Sequence, residues 1–154
     1  MTRSARQRRL VAAAACALIF AGAVAGWPML TDGADSAQIA AGRALYAKHC
    51  TACHSSRLEG QPNWQQRLPN GRMPAPPHDA SGHTWHHSDA ALFTITKEGV
   101  GALVPGYQSD MPAFGGVIAD DEIGAVVAFI KSTWPRREHE YQAARTKAQW
   151  SSEN

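Results

Sequence analysis

Cys50-Thr51-Ala52-Cys53-His54 is the stretch on which the reading of this chain turns. Two thiols three apart at a helix end can reach both vinyl groups of one haem and form thioethers. The histidine directly after them is placed to ligate the iron. A dithiol redox pair shares this cysteine spacing but belongs in a βαβ pattern, and no run here alternates well enough to argue for strands. A structural zinc site takes four ligands, and no second cysteine pair exists, since the third cysteine of the chain is the isolated Cys16. The residues therefore point to Cys50 and Cys53 as covalent attachment points and His54 as one axial ligand.

A haem iron held by one histidine has a sixth position to fill. Met111, within Ser109-Asp110-Met111-Pro112-Ala113-Phe114, is the candidate. A thioether is a soft, neutral ligand that favours ferrous iron and raises the reduction potential. The proline after it stiffens the loop. Met73 is the rival, also followed by proline, but it lies only 19 positions past His54, which leaves little chain to travel around the haem edge.

Outward from the motif, a first helix is expected from about Ser36 to Lys48, with Asp35 as its N-cap and Gln38 three residues on. Ile39, Gly42, Leu45, Tyr46 and His49 recur at helical spacing. Residues 55–83 are rich in proline and should form ordered but irregular loop. A second helix is expected over Asp89–Glu98, capped by Ser88 and stopped by Gly99. The last core helix should run from Asp121 to Trp134, where Ile123, Val126, Val127, Ile130 and Trp134 make an apolar stripe and Pro135 ends it. Residues 136–154 read as a polar tail, helical and peripheral.

At the other end, Arg3, Arg6, Arg8 and Arg9 precede Leu10–Trp27, eighteen residues without a charge. That layout is a secretory signal or a membrane anchor. Cleavage after Ala23 or Ala25 and retention as an anchor both remain open; either way the remainder is exported. Cys16 reads as a small apolar residue of this run. Residues 28–35 form a linker, and 36–135 the folded domain. The length of 154 residues fits one domain, and 44% hydrophobic with 18% charged residues excludes wholesale disorder. The net charge of +2 misleads: without the four arginines, 11 basic residues face 13 acidic ones, a formal charge of −2. Nothing in that balance supports nucleic-acid binding. Partners should meet a mildly acidic domain, with any basic patch confined to the tail at Arg136 and Arg137.

Taken together, these pieces resemble a small class I cytochrome c of the bacterial, exported, monohaem kind, over about 36–134. The resemblance rests on Gly42 and Tyr46 before Cys50-x-x-Cys53-His54, a proline-rich loop, a middle helix, Met111-Pro112-x-Phe114 and a last helix with aromatic residues. The 57 positions from His54 to Met111 suit that family. It implies an all-α fold of about three core helices around one covalent haem c. The first and last helices would cross near Gly42, with Tyr46, Ile130 and Trp134 as packing partners. It also implies a proline carbonyl accepting the other ring N–H of the histidine, for which Pro62 is the choice. Trp64 either covers the haem, bonds a propionate, or packs as ordinary core.

His78, His83, His86 and His87 depart from the minimal pattern by gathering within ten residues. They read as loop histidines bonding propionates, backbone or water, as a second metal site such as copper, or, for His86 or His87, as a replacement for Met111 on the iron. The leading function is one-electron transfer in an exported redox chain, with His54 and Met111 closing both axial positions. The donor and acceptor would be redox proteins, a membrane oxidoreductase among them, and the site the periplasm or the outer face of the cytoplasmic membrane. Membrane contact comes only through the N-terminal segment if it is uncleaved. With no nucleophile–base pair or carboxylate dyad, an independent enzyme is not expected, although a cytochrome subunit of a larger oxidoreductase fits. The alternatives are a sensor or peroxidase-like haem protein with a labile sixth site, and a copper-linked redox protein using the histidine cluster.

Overall fold

The computed structural model describes residues 36–153. The chain divides into two compact units, Met1–Ala37 and Gln38–Asn154; only Ser36 and Ala37 of the first are described. The signal or anchor, the linker, Cys16 and the Asp35 cap therefore lie outside the described residues.

The described chain is all-α. Helix α1 covers 36–49, α2 Thr51–His54, α3 Asp89–Glu98, α4 Asp120–Ser132 and α5 Arg136–Glu153. Among the described residues the only β feature is an isolated bridge between Gly115 and Ile118. None of these helices is long and apolar enough to cross a membrane.

Local chemistry explains the helix ends. The Ser88 hydroxyl accepts from Ala91 N–H at 3.2 Å, satisfying an orphan donor of α3. Gly99 ends that helix at φ +86°, donating its N–H to the Ile95 carbonyl. At the start of α4 the Glu122 carboxylate accepts from Ala119 N–H at 2.8 Å, and the acidic Asp120, Asp121 and Glu122 meet the positive end of the helix dipole.

The core forms where α1 crosses α4. Gly42 permits that crossing: a Cβ there would sit 1.9 Å from the Ala125 carbonyl oxygen, inside any allowed contact. Tyr46, one turn on, packs edge-on against Phe129 at 5.4 Å. Val126, Ile130 and Trp134 complete the cluster, together with Leu58 and Leu92. The expected stripe of Ile123, Val126, Val127, Ile130 and Trp134 is buried throughout. Each such side chain contributes roughly 1.5–3 kcal/mol by leaving water.

The polar stretch after Pro135 is helical, and it is not peripheral. Helix α5 docks against the short turn Thr84–His86 through the Tyr141 ring, which meets Trp85 and His86, and is tied down beside it by polar contacts that hydrophobic periodicity does not register. Gln142 is completely buried and donates to Asp89 Oδ1 at 2.7 Å, Thr146 Oγ1 at 3.1 Å and the His87 carbonyl at 3.3 Å. Asp89 Oδ1 also takes the Lys131 ammonium at 2.6 Å, so one carboxylate joins α3, α4 and α5.

Candidate functional site

The Cys50–His54 motif follows α1 directly, with Cys50 as the turn residue that caps the short α2. Cys50 N–H donates to the Tyr46 carbonyl at 2.9 Å, and His54 N–H to the Cys50 carbonyl at 2.9 Å. Helical spacing thus puts the two cysteines on neighbouring turns, with His54 at the end. Both thiols are unpaired; Cys50 is half-buried and Cys53 exposed. Burial, reinforced by the neighbouring Cys53, pushes the Cys50 thiol up to about 11, which keeps it protonated at neutral pH.

Beyond His54 the chain turns sharply. Ser55 and Leu58 adopt left-handed backbone, φ 67° and 64°, a conformation that side chains other than glycine resist. Gly60 follows at φ +69° and donates to the His54 carbonyl at 3.0 Å. A Cβ on Gly60 would meet the backbone of Ala75, Pro76 and Pro77 at 2.5–2.6 Å. The chain after Pro74 therefore returns directly against Gly60. Gln61 N–H donates to the Ala75 carbonyl, and Ala75 N–H to Gln61 Oε1, at 2.9 and 2.8 Å.

This return corrects one expectation. The carbonyl that accepts from His54 Nδ1 is that of Pro76, at 2.9 Å, and not that of Pro62. Residues 62–73 loop outward between the paired Gln61 and Ala75, so Pro62 is exposed at the start of the excursion. The signal that could have found Pro76 is the Pro-Ala-Pro-Pro run itself, rigid enough to lie flat along a glycine. His54 is 6% exposed, and burial holds its imidazole below the usual range, with the Pro76 carbonyl opposing. It is neutral at pH 7, as a metal ligand must be, and Nε2 remains available.

Met111 is half-buried in the loop between α3 and α4, its N–H donating to Ser109 Oγ at 3.1 Å. Three residues later, Phe114 packs edge-on to His49, the residue before Cys50, at 6.1 Å. Phe114 and Gly115 N–H groups donate to the Thr96 and Lys97 carbonyls at 3.0 and 2.8 Å. The methionine loop is thereby bonded to α3 and touches the end of α1, beside Cys50, through one ring contact. Arg72 pairs with Asp110, which brings the Met73 segment beside the Met111 loop.

The four histidines of the middle segment turn to different partners. His78 stacks on His54; His83 stacks on Trp64 at 5.4 Å and meets His87 edge-on at 5.5 Å. His86 lies against Trp85 and Tyr141. Among the described residues no three His, Cys, Asp or Glu side chains are arranged to hold a metal; their rings are spent on aromatic contacts. Trp64 belongs to the His83 stack. Trp85, which the sequence reading passed over, carries a buried Nε1–H with no acceptor in the protein.

These features fit a covalently held haem: paired free thiols, a buried neutral imidazole fixed at one nitrogen, and an indole donor in want of an acceptor. No curated protein and no solved structure matches the chain. The family described as cytochrome C oxidase, cbb3-type, subunit III matches residues 37–130, more than half of the chain. The chain belongs to that family, as a class I c-type cytochrome with a covalently bound haem c and electron transfer as its chemistry.

Proposed function

We propose that this protein is a one-electron carrier in which Cys50 and Cys53 attach the haem and His54 and Met111 ligate its iron. The observation that carries the reading is the His54 imidazole: buried, neutral, fixed through Nδ1 by the Pro76 carbonyl, and one residue beyond two unpaired thiols. The haem supplies the one-electron couple of its iron. The Pro76 carbonyl fixes the histidine tautomer and raises ligand basicity. Trp85 offers its Nε1–H to a propionate oxygen. The Phe114–His49 contact and the Arg72–Asp110 pair hold Met111 in place. With both axial positions filled from the chain, no position is left for a substrate, which favours a carrier over a sensor or peroxidase.

The carrier acts in an exported redox chain, free or docked as a cytochrome subunit of a membrane oxidoreductase. The family match, an oxidase subunit, supports that placement, and the basic, apolar N-terminal sequence supports export by a signal or an anchor. The test of ligation is Met111→Ala beside Met73→Ala in the haem-loaded protein. Met111→Ala should abolish the far-red methionine–iron band of the oxidised form and lower the reduction potential, while Met73→Ala should leave both. The reverse result would transfer the ligand role to Met73.

A further inference from the structure

The His54 ring is held at a second place. The His78 ring lies face to face with it, centroids 3.8 Å apart and planes 19° from parallel. His78 is itself fixed at backbone and side chain. Its N–H donates to the Leu58 carbonyl at 2.7 Å, and its carbonyl accepts from Trp134 Nε1 at 2.8 Å. Its Nδ1 lies 3.3 Å from the hydroxyl of Tyr46, which is wedged against Phe129 in the α1–α4 crossing.

A histidine needs such support. Its χ2 is a torsion between tetrahedral and planar carbons, with broad wells rather than sharp rotamers. A hydrogen bond at Nδ1 pins one point of the ring and leaves the plane able to swing about it. A flat neighbour at van der Waals distance blocks that swing in both senses. A branched aliphatic side chain would fill the volume without offering a plane. The Tyr46 hydroxyl pins one point of His78 as the Pro76 carbonyl pins one point of His54, and the Tyr46 ring meets His78 edge-on at 5.8 Å, so two imidazoles are aligned in series from the core to the motif.

We propose that His78 is a positioning residue for the axial ligand: its ring sets the plane of the His54 imidazole, and so the orientation of that ligand's π orbitals relative to the haem. This rests on His54 being the ligand. The arrangement also gives the most buried histidine of the cluster a role that needs no second metal.

The test uses the full, haem-loaded chain in its oxidised state. Proton NMR shifts of the haem methyl groups report the plane of the axial ligands, independently of any activity. His78→Leu should reorder or split the methyl pattern. His78→Phe, which keeps a flat face but offers the Tyr46 hydroxyl no partner, should give a pattern nearer to that of the unchanged protein than His78→Leu does, broadened no more than in Tyr46→Phe. Tyr46→Phe, which removes only the hydroxyl, should broaden it. An unaltered pattern in His78→Leu would overturn the proposal, as would His78→Phe deviating as far as His78→Leu. If His78→Leu does not fold, an unaltered pattern in Tyr46→Phe overturns it. A missing low-spin signature in the unchanged protein would instead bring down the ligation reading, and the proposal with it. A retained signature with an indifferent His78 removes the positioning role alone.

Discussion

The two halves of the site are built in opposite ways. On the histidine side, His54, Leu58 and Tyr46 are buried, left-handed residues wind the chain tightly, and backbone groups bond to backbone across the return from Pro74 to His78. On the methionine side, most of residues 100–117 are exposed, including Leu103, Val104 and Val117. Fewer long-range bonds hold this loop, and its ion pair from Asp110 to Arg72 lies near the surface. The histidine side is a fixed seat, defined by packing that tolerates little change. The methionine side is a strap, closed by a few contacts of modest strength, with the apolar Leu103, Val104 and Val117 left exposed.

That contrast can be broken most directly at Gly60. Gly60→Val forces a β-branched residue to φ +69° and drives its Cβ into the Ala75–Pro77 backbone. The loss should be about 3 kcal/mol, combining backbone strain with overpacking, read as a lower denaturant midpoint. A cost below about 1 kcal/mol would mean that the seat yields as easily as the strap.

A smaller loss is expected at the join between the histidine segment and α5. Gln142→Ala deletes a fully buried amide that bonds Asp89, Thr146 and the His87 carbonyl. Buried groups left without partners cost about 1–3 kcal/mol, so equilibrium unfolding should show a loss of about 2 kcal/mol. An unaffected stability would return α5 to the status of a tail.

Acid should loosen the same join. Burial, with the nearby His83, His86 and Arg145, holds the His87 imidazole below its usual 6.5. The unfolded chain therefore binds a proton near 6.5 that the folded chain refuses. Stability falls as pH drops from that value to the folded pKa and is flat below it, as far as this group is concerned. Urea midpoints compared at about pH 7.5 and about pH 5.5 should show the decrease, and His87→Gln should reduce it.

The smallest effect belongs to the strap. Arg72→Ala removes a pair whose partners are 37% and 53% exposed, and exposed pairs contribute about 0.2–1 kcal/mol. Its stability change should stay under about 1 kcal/mol. A loss as large as that of Gly60→Val would show that both halves are equally rigid.

The sequence made the local features plain and the long-range ones obscure. The α3 bounds, its Ser88 cap and its Gly99 stop follow from nearest-neighbour chemistry, and α3 forms as expected. The α1–α4 crossing at Gly42 follows from the family resemblance, and periodicity carries only the apolar stripe that α4 brings to it. Phe129, the ring that meets Tyr46, lies in the same helix and was passed over. The Pro76 carbonyl was missed because its position depends on where the 62–73 excursion rejoins Gly60, a matter of chain return and not of spacing. Helix α5 reads as a tail because its anchors are Gln142, Thr146 and Arg145, polar residues whose burial no hydropathy pattern announces. The histidine cluster suggested convergence since its members are near in sequence, but His78 stacks on His54 and His86 on Trp85, and only His83 and His87 meet ring to ring.

The central claim is a low-spin haem held by the rigid His54 and the strapped Met111. Absorption spectra of the haem-loaded full chain, oxidised and then reduced with carbon monoxide added, test it most directly. The account predicts a far-red methionine–iron band in the oxidised form and a reduced form that ignores carbon monoxide. A missing band together with rapid carbon monoxide binding would contradict it, leaving the sixth position open and the protein something other than a simple electron carrier.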